Sequence, residues 1–249
     1  MTAPRFTVRE LAGPEPMVEK RGPAEALARE AEALRLVAGR SWAPRLVAEG
    51  PGTLVTIRCP GEPRPLAGLD PAAASRLGAI LREVHEVRRA GEGVLWWWPS
   101  PAGSLEAYRA GRAEDAEAAL AGTAHAGLAR RALAAPLPPR AEPDPFRLLH
   151  GDLVEANLVW GPEGPSLVDW EFWRMGDPAE DLAYLAELNR VPEQVLGAVL
   201  EGYGRPEVAA AVDPWRAVAA LDAAGWYLRE GMALEAEVLL ERGALLAGA

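Results

Sequence analysis

Four short stretches near the start of the chain alternate apolar and polar residues with the period of a β-strand. These stretches are residues 6–11, 17–21, 45–48 and 53–57. A turn rich in glycine and proline separates the members of each pair, so the pattern predicts two β-hairpins. Between the hairpins, Leu27, Ala31 and Leu34 recur at helical spacing. They predict a helix over residues 24–38.

Beyond about residue 60, apolar residues recur at helical spacing instead. Helices are predicted over residues 71–89, 181–188, 192–203, 214–228 and 233–246, with two more between residues 104 and 134. Two short strands are predicted at residues 158–160 and 166–168, with a turn of glycine and proline between them. The pattern indicates an α+β fold with a small β-rich part at residues 1–59 and a larger helical part at residues 60–249.

The composition excludes several classes of partner. The formal net charge of -10 and a pI near 5.0 argue against nucleic acid, which proteins bind mainly through basic residues. No run of about 18 uncharged apolar residues occurs, so no membrane span is expected. The single cysteine, Cys59, cannot form an intrachain disulfide, and the first residues do not resemble a secretion signal. A cytoplasmic location is therefore expected, whereas the sequence does not indicate the oligomeric state.

Three oxygen-bearing side chains are predicted to converge around the strand pair at residues 158–168. Asp152 and Asn157 lie in the loop before the first strand, and Asp169 follows the second strand. Because the two strands form a hairpin, these residues meet at one end of it. Carboxylate and amide oxygens are ligands that Mg²⁺ accepts alongside water and substrate phosphates. The arrangement indicates a site for phosphoryl transfer, in which a protein mainly positions groups and supplies charge.

The basic residues contain one conspicuous member. Lys20 is the only lysine among 26 lysine and arginine residues. Where arginine serves at almost every basic position, a remaining lysine suggests a place that needs a compact ammonium group. The alternative is that one lysine persisted by chance. Phosphoryl transfer uses such a lysine on the α- and β-phosphates of the nucleotide.

Three motifs together resemble the aminoglycoside phosphotransferase and choline kinase superfamily. Residues 150–157, HGDLVEAN, resemble its HGDxxxxN signature. Residues 169–171, DWE, are similar to its second metal motif, and residues 176–183, GDPAEDLA, to its GDPxxDLA stretch. The resemblance extends over most of residues 6–190. It implies a two-lobed, protein-kinase-like fold with a β-rich N-terminal lobe and a helical C-terminal lobe.

The resemblance also implies roles for residues of the helical part. Asp152 would be the catalytic partner of the acceptor hydroxyl group, while Asn157 and Asp169 would hold Mg²⁺. Asp181 is expected to brace the catalytic loop through backbone amides. His150 is expected to orient the same loop and not to act as a general base.

In the β-rich part the resemblance implies a nucleotide site. Lys20 would contact the α- and β-phosphates of ATP, and GTP is not excluded as the nucleotide. Glu30, in preference to Glu32, would hold the lysine ammonium. The backbone of a hinge segment would meet the adenine. This segment comprises Thr56, Ile57, Arg58 and Cys59.

The sequence departs from the superfamily in front of Lys20. Members usually have a further strand and a glycine-containing phosphate loop there, whereas Gly13 is the only glycine before Lys20 and lies in the turn. A first strand and its loop are therefore expected to be missing, which would leave a truncated N-terminal lobe. Three explanations stay open. The true start lies upstream, the nucleotide binds without this loop, or nucleotide binding has been lost.

The acceptor is the least defined part of the prediction. The resemblance implies a small molecule with a hydroxyl group, such as a sugar, an aminocyclitol or aminoglycoside-like compound, or an amino alcohol. The tryptophans at residues 96–98 and at Trp160, Trp170 and Trp173 have two interpretations, stacking on such ligands or filling the core. The predicted function is a Mg²⁺- and ATP-dependent kinase of a hydroxyl group. The alternative is a pseudokinase that serves as a binding or scaffold module.

Overall fold

The computed structural model describes residues 5–87, 104–139 and 146–248. The strands are β1 (Thr7–Leu11), β2 (Met17–Arg21), β3 (Leu46–Gly50), β4 (Thr53–Ile57), β5 (Glu62–Pro63), β6 (Arg147–Leu149), β7 (Leu158–Gly161), β8 (Gly164–Leu167) and β9 (Arg174–Gly176). The helices are α1 (Ala24–Leu36), α2 (Pro71–Glu86), α3 (Leu105–Ala119), α4 (Leu128–Ala132), α5 (Pro178–Leu188), α6 (Glu193–Tyr203), α7 (Pro206–Arg229) and α8 (Ala233–Leu246). Among the described residues, no helix combines the length and the apolar character needed to cross a membrane.

The N-terminal part is a four-stranded antiparallel sheet in the order β1-β2-β4-β3. Both predicted hairpins are present, and β2 joins them by pairing with β4, which sets Lys20 opposite Leu54. Helix α1 packs on the sheet through its buried apolar face, which includes Leu27 and Leu34. Within residues 5–87 the sheet ends at β1, and the β1–β2 turn holds Gly13.

The larger part is built from helices around α5 and α7. Helix α7 packs against α3, α5 and α8. Helices α2 and α6 cross at two glycines, where a Cβ added to Gly78 would lie 1.9 Å from the Val199 carbonyl oxygen and one added to Gly202 would lie 1.9 Å from that of Ser75. The two backbones approach so closely that no side chain fits at either position.

Three very short strands support the predicted β7–β8 hairpin or the loop before it. The segment after Cys59 contains β5, in which Glu62 pairs with Trp160 of β7. Strands β6 and β9 pair with each other, with Leu149 opposite Arg174. Strands of two or three residues are too short to show a period of two, so the pattern did not reveal β5 and β9.

Two helix starts differ from the prediction. Helix α5 begins at Pro178 because the side chain of Asp177 accepts a hydrogen bond from the Ala179 amide at 3.0 Å and so caps the first turn. Helix α7 begins at Pro206, and the predicted start at Pro214 is wrong. Proline is favoured in the first turn of a helix, but here Pro206 takes that place and Pro214 lies inside the helix.

The small sheet and the larger helical part confirm the predicted α+β architecture. We call them the N-terminal lobe and the C-terminal lobe. The predicted boundary between residues 59 and 60 stays a prediction. The tryptophans at residues 96–98 lie outside the described residues.

Candidate active site

One buried carboxylate holds the loop between β6 and β7, residues 150–157. Asp181 of α5 accepts hydrogen bonds from the backbone amides of His150 at 2.7 Å and Gly151 at 3.0 Å, which confirms the predicted brace. Its Oδ2 also lies 3.3 Å from the ring of His85, a buried residue of α2. Burial disfavours the charge of Asp181, but the hydrogen bond with His85 and the surrounding positive charges outweigh it and lower the pKa.

The His150 side chain joins this loop to the end of β8. Its ring Nε2 lies 2.9 Å from the Val168 carbonyl oxygen, and its Nδ1 accepts a hydrogen bond from the Asp152 amide at 3.3 Å. The ring is fully buried and packs on Trp170 with 4.5 Å between centroids. Burial lowers the pKa of His150, so the neutral ring orients the loop, as predicted.

Gly151 allows the loop to turn tightly against the segment after Asp169. Its φ of +83° falls in the left-handed region, and an added Cβ would lie 2.2 Å from the Phe172 carbonyl oxygen. Any side chain at this position would therefore push the loop away from its neighbour.

Asp152 and Asn157 are joined across the loop. The Asn157 amide donates to the Asp152 backbone oxygen and to its Oδ2, both at 2.9 Å. Burial first, and then the charge of Asp169, raise the pKa of Asp152 to about 6, while the hydrogen bond from Asn157 opposes this rise. Because both contacts use the Asn157 nitrogen, its Oδ1 remains as an acceptor.

Asp169 occupies a strained backbone conformation two residues after the end of β8. Its φ of 66° and ψ of 62° are left-handed, which is rare for a residue other than glycine. The hydrogen bond from the Val168 amide to the Asn157 carbonyl oxygen, 3.0 Å long, closes the hairpin beside it. Such strain is maintained only where the surrounding structure imposes it, and it is concentrated at functional sites.

Lys20 brings the N-terminal lobe to this carboxylate. Its Nζ lies 2.7 Å from Glu30 Oε2 and 2.5 Å from Asp169 Oδ1. The Phe6 ring covers the ammonium, with its centroid 4.2 Å from Nζ. Burial disfavours the positive charge, but Glu30 and Asp169 outweigh it and raise the pKa of Lys20. The predicted pairing with Glu30 is present, and Lys20 contacts the predicted metal ligand as well.

The carboxylates of Glu30, Asp169 and Glu171 lie close enough around Lys20 to influence one another. Burial first, and then the charges of Asp169 and other carboxylates, raise the pKa of Glu30 and of Glu171. The Glu171 side chain is buried and meets the half-exposed Arg5 guanidinium at 3.3 Å. A site of this kind favours a further cation, which would offset the repulsion between carboxylates.

The donor set fits Mg²⁺. The Asn157 Oδ1 and the Asp169 carboxylate are hard oxygen donors, and Mg²⁺ needs only one or two such protein ligands together with water and phosphates. Among the residues described, no group of three or more His, Cys, Asp and Glu side chains forms a dedicated metal cluster. Asn157 and Asp169 would therefore hold such an ion only together with ligands from outside the protein.

The predicted hinge leads out of β4. Its backbone amides at Ile57 and Arg58 already donate to the carbonyl oxygens of Arg45 and Pro16, each at 2.9 Å. The Cys59 thiol is half-buried, and burial raises its pKa against the opposing hydrogen bond with Ser166. Thr56 lies within β4 itself. At least two of the four amides are therefore committed to the protein, and Thr56 is paired with strands on both sides.

Several residues that support the site were not predicted. Asn189 accepts a hydrogen bond from the Glu155 amide at 2.7 Å and donates to the Leu153 carbonyl oxygen at 2.8 Å, so it braces the far end of the catalytic loop. Its rarity was a usable signal, since the chain has only two asparagines and the other is Asn157. No signal of this kind marks Arg5.

The tryptophans of this region differ in their surroundings. Trp170 and Trp173 are buried in the core, which favours the filling role for these two. Trp160 is half-buried, and the Arg64 guanidinium lies 4.0 Å from its ring centroid. Its side chain is therefore covered by a cation of the protein itself.

Comparison with sequence families gives a match over most of the chain. Residues 15–221 match the sequence model of the phosphotransferase enzyme family. A search among curated proteins returns no match.

Solved structures of similar fold include enzymes with different acceptors. The macrolide 2'-phosphotransferase MphH from Brachybacterium faecium shares 21% identity, with a TM-score of 0.70 over 98% of this chain and 89% of that one. The ethanolamine kinase Pv091845 from Plasmodium vivax shares 12%, with a TM-score of 0.67 over 96% and 82%. The GDP and kanamycin complex of APH(2")-IIia shares 17%, with a TM-score of 0.68 over 96% and 93%. At these identities the likeness establishes a shared kinase-like fold.

Proposed function

The chain belongs to the phosphotransferase enzyme family, and we propose that it transfers the γ-phosphoryl group of ATP to a hydroxyl group of a small molecule, with Mg²⁺ as cofactor. Membership makes it a small-molecule phosphotransferase. The observation that carries the proposal is the contact of Lys20 with both Glu30 and Asp169, beside the hydrogen-bonded pair of Asp152 and Asn157.

Lys20 is the proposed ligand of the α- and β-phosphates. Its ammonium is kept charged by the two carboxylates, and it is the one basic group that contacts Asp169 among the ion pairs of the described residues. Glu30 fixes the lysine from α1, so the ammonium stays in place when phosphates approach. A compact ammonium fits between Glu30 and Asp169, whereas a planar guanidinium does not suit this position.

Asn157 and Asp169 are the proposed ligands of Mg²⁺. When bound, the metal would neutralise charge that develops on the phosphates during transfer. Asn157 contributes its free Oδ1, because its amide nitrogen is held by Asp152. Asp169 is fixed by its left-handed backbone at the end of β8.

Asp152 is the proposed partner of the acceptor hydroxyl group. Its carboxylate is oriented by Asn157, and it accepts or directs the hydroxyl proton while the oxygen attacks phosphorus. A pKa of about 6 leaves it ionised at neutral pH and still able to take a proton. The backbone that carries it is held by Asp181 and His150.

The hinge is proposed to bind adenine through a reduced set of backbone groups. Because the Ile57 and Arg58 amides are already donated within the protein, the adenine contact falls to the Cys59 amide and the carbonyl groups of residues 56–59. GTP stays a candidate nucleotide because none of these contacts distinguishes guanine from adenine.

The acceptor is proposed to be a sugar, an aminocyclitol or aminoglycoside-like compound, or an amino alcohol. All three carry the hydroxyl group that Asp152 needs, and the similar structures named above act on, or are bound to, molecules of these kinds or to a macrolide. We propose a cytoplasmic location, because the proposed reaction consumes ATP. The acidic chain, with a net charge of -10, does not favour nucleic acid as a partner.

Nucleotide binding provides the first test. Mg·ATP is expected to raise the melting temperature, by an amount that corresponds to about 2.7 kcal/mol at a hundred times the Kd. ATP in excess EDTA is expected to give a smaller shift, and Mg·GTP measures the purine preference. No shift with either nucleotide at millimolar concentration would contradict the proposal and favour a binding module.

Turnover provides the second part of that test. ADP formation would be followed with pooled sugars, amino alcohols and aminoglycosides. Asp152→Ala is expected to abolish acceptor-dependent turnover and to keep the Mg·ATP shift in melting temperature, which separates chemistry from binding.

A further inference from the structure

A buried arginine outside the predicted site contacts both catalytic segments. Arg174 lies on β9, and its side chain is 4% exposed. One of its terminal nitrogens, Nη1, lies 3.2 Å from the Phe172 carbonyl oxygen and 3.5 Å from that of Gly151. Gly151 directly precedes Asp152, and Phe172 lies in the turn that follows Asp169.

The remaining donors of Arg174 are held by a buried acid and a tyrosine. Nη2 donates to Glu180 Oε1 at 2.6 Å, and Nε donates to the Tyr108 hydroxyl at 3.3 Å. Tyr108 in turn donates to Glu180 Oε2 at 2.5 Å. The guanidinium is therefore fixed in position, and its plane is set by partners on two different helices.

Stability alone does not account for this arrangement. A buried ion pair costs several kcal/mol in desolvation, and apolar residues of similar volume often serve stability as well or better. Here the charged group directs a nitrogen at two carbonyl oxygens that belong to segments 21 residues apart in sequence (172 minus 151). Both hydrogen bonds are partly buried, where a carbonyl group without a partner carries a cost in free energy. A group that spans them fixes the distance between the segments.

We propose that Arg174 is a positioning residue for the proposed phosphoryl transfer, because its guanidinium ties the loop that carries Asp152 to the turn that follows Asp169. This inference rests on the proposed function. Transfer requires the acceptor oxygen, held at Asp152, to approach a phosphate held at the metal site of Asp169. A shift of about 1 Å between two such groups costs about a hundredfold in rate.

Arg112 provides a matched control. It donates to the same Glu180 oxygen at 3.0 Å and also to Asp222 at 2.8 Å, so Arg112→Met and Arg174→Met each remove one arginine from Glu180. Both variants are expected to lower the melting temperature. Arg174→Met is expected to lower kcat about a hundredfold, with the KM for ATP within about threefold of wild type. Arg112→Met is expected to keep kcat within about threefold.

Mg·ATP turnover is measured in two ways, as phosphate release and as transfer to an acceptor from the pooled screen. A thermal melt of each variant accompanies both measurements. Equal loss of kcat in Arg174→Met and Arg112→Met, or native kcat in Arg174→Met, would overturn this inference alone. A wild-type protein without any Mg·ATP turnover would overturn the proposed function, and this inference with it.

A conservative variant covers the case in which Arg174→Met does not fold. Arg174→Lys keeps a positive charge beside Glu180 but lacks the planar fork that reaches the carbonyl groups, Glu180 and Tyr108 together. It is expected to fold and to lose about tenfold in kcat. Native kcat in Arg174→Lys would show that charge alone is needed and would overturn the proposal.

Discussion

Lys20 carries the only ammonium side chain of the protein, and two carboxylates compete for it. Glu30 belongs to the neighbouring helix and Asp169 to the opposite lobe. Their charges outweigh the effect of burial and raise the pKa of Lys20, so the group stays charged in the physiological range. This explains why the scarcity of lysine was informative. The position needs a compact cation between two acids, a need that arginine does not meet.

Removing this ammonium should affect transfer much more than removing its neighbour. Lys20→Met is expected to lower kcat/KM for Mg·ATP about a hundredfold to a thousandfold, because a charge that stabilises the phosphates is lost. Arg21→Met is the control, since Arg21 lies next on β2, is more than half exposed, and pairs with Glu19. It is expected to change kcat/KM by less than about threefold. Equal losses in the two variants would contradict the role of Lys20.

Asp152→Asn is expected to remove a pH-dependent loss of stability. Burial first, and then the charge of Asp169, raise the pKa of Asp152 from 3.8 to about 6. Because the folded protein holds this proton more tightly than the unfolded chain, the wild type loses stability as the pH rises from 3.8 to about 6. The melting temperature of the variant relative to wild type, measured in metal-free buffer, should rise across the same window and stay constant above it. A difference that does not change with pH would refute the raised pKa.

At the residue scale, the sequence predicted the side chains that lie in motifs and missed those that reach the site from elsewhere. Asp152, Asn157 and Asp169 are marked by short spacings around one hairpin. Arg5 meets Glu171 across 166 residues, and no local pattern connects two positions so far apart. Arg174 was missed for a different reason. Its partners are backbone carbonyl groups, which every residue has, so nothing in the sequence points to them.

At the scale of the elements, the crossing of α2 and α6 brings two helix backbones into close contact. Gly202→Ala would place its Cβ 1.9 Å from the Ser75 carbonyl oxygen, so the helices must separate, at an expected cost of about 1–3 kcal/mol. Gly197→Ala is the control on the same helix, because nothing lies within 4 Å of a Cβ added there. It is expected to raise stability by up to about 1 kcal/mol through helix propensity. Urea unfolding measures both, and a Gly202→Ala variant as stable as Gly197→Ala would disprove the close approach.

The long elements followed from the sequence, and the short ones did not. Helices α1, α2, α6 and α8 lie close to their predicted bounds because each buries one apolar stripe that recurs over several turns. Strands β5 and β9 contain two and three residues, and they form because β7 and β6 offer them an edge to pair with. A partner strand is a tertiary feature that a local pattern does not contain.

At the scale of the whole molecule, the candidate site lies where the two lobes meet. The N-terminal lobe contributes Lys20 and Glu30, and the C-terminal lobe contributes Asp152, Asn157 and Asp169. The sequence predicted each half, because each half lies within one continuous stretch of chain. It did not predict that Lys20 would contact Asp169 directly, since that distance depends on how the lobes pack.

The ion pair between Lys20 and Asp169 also connects the two lobes directly. Under the proposed function, phosphates would contact Lys20 and Mg²⁺ would bind Asp169, so the direct ion pair would be replaced by an indirect connection through the nucleotide. The lobes are then connected in both states, but by different bonds. The affinity for nucleotide would then equal the free energy of the new contacts minus the free energy needed to break the ion pair between Lys20 and Asp169.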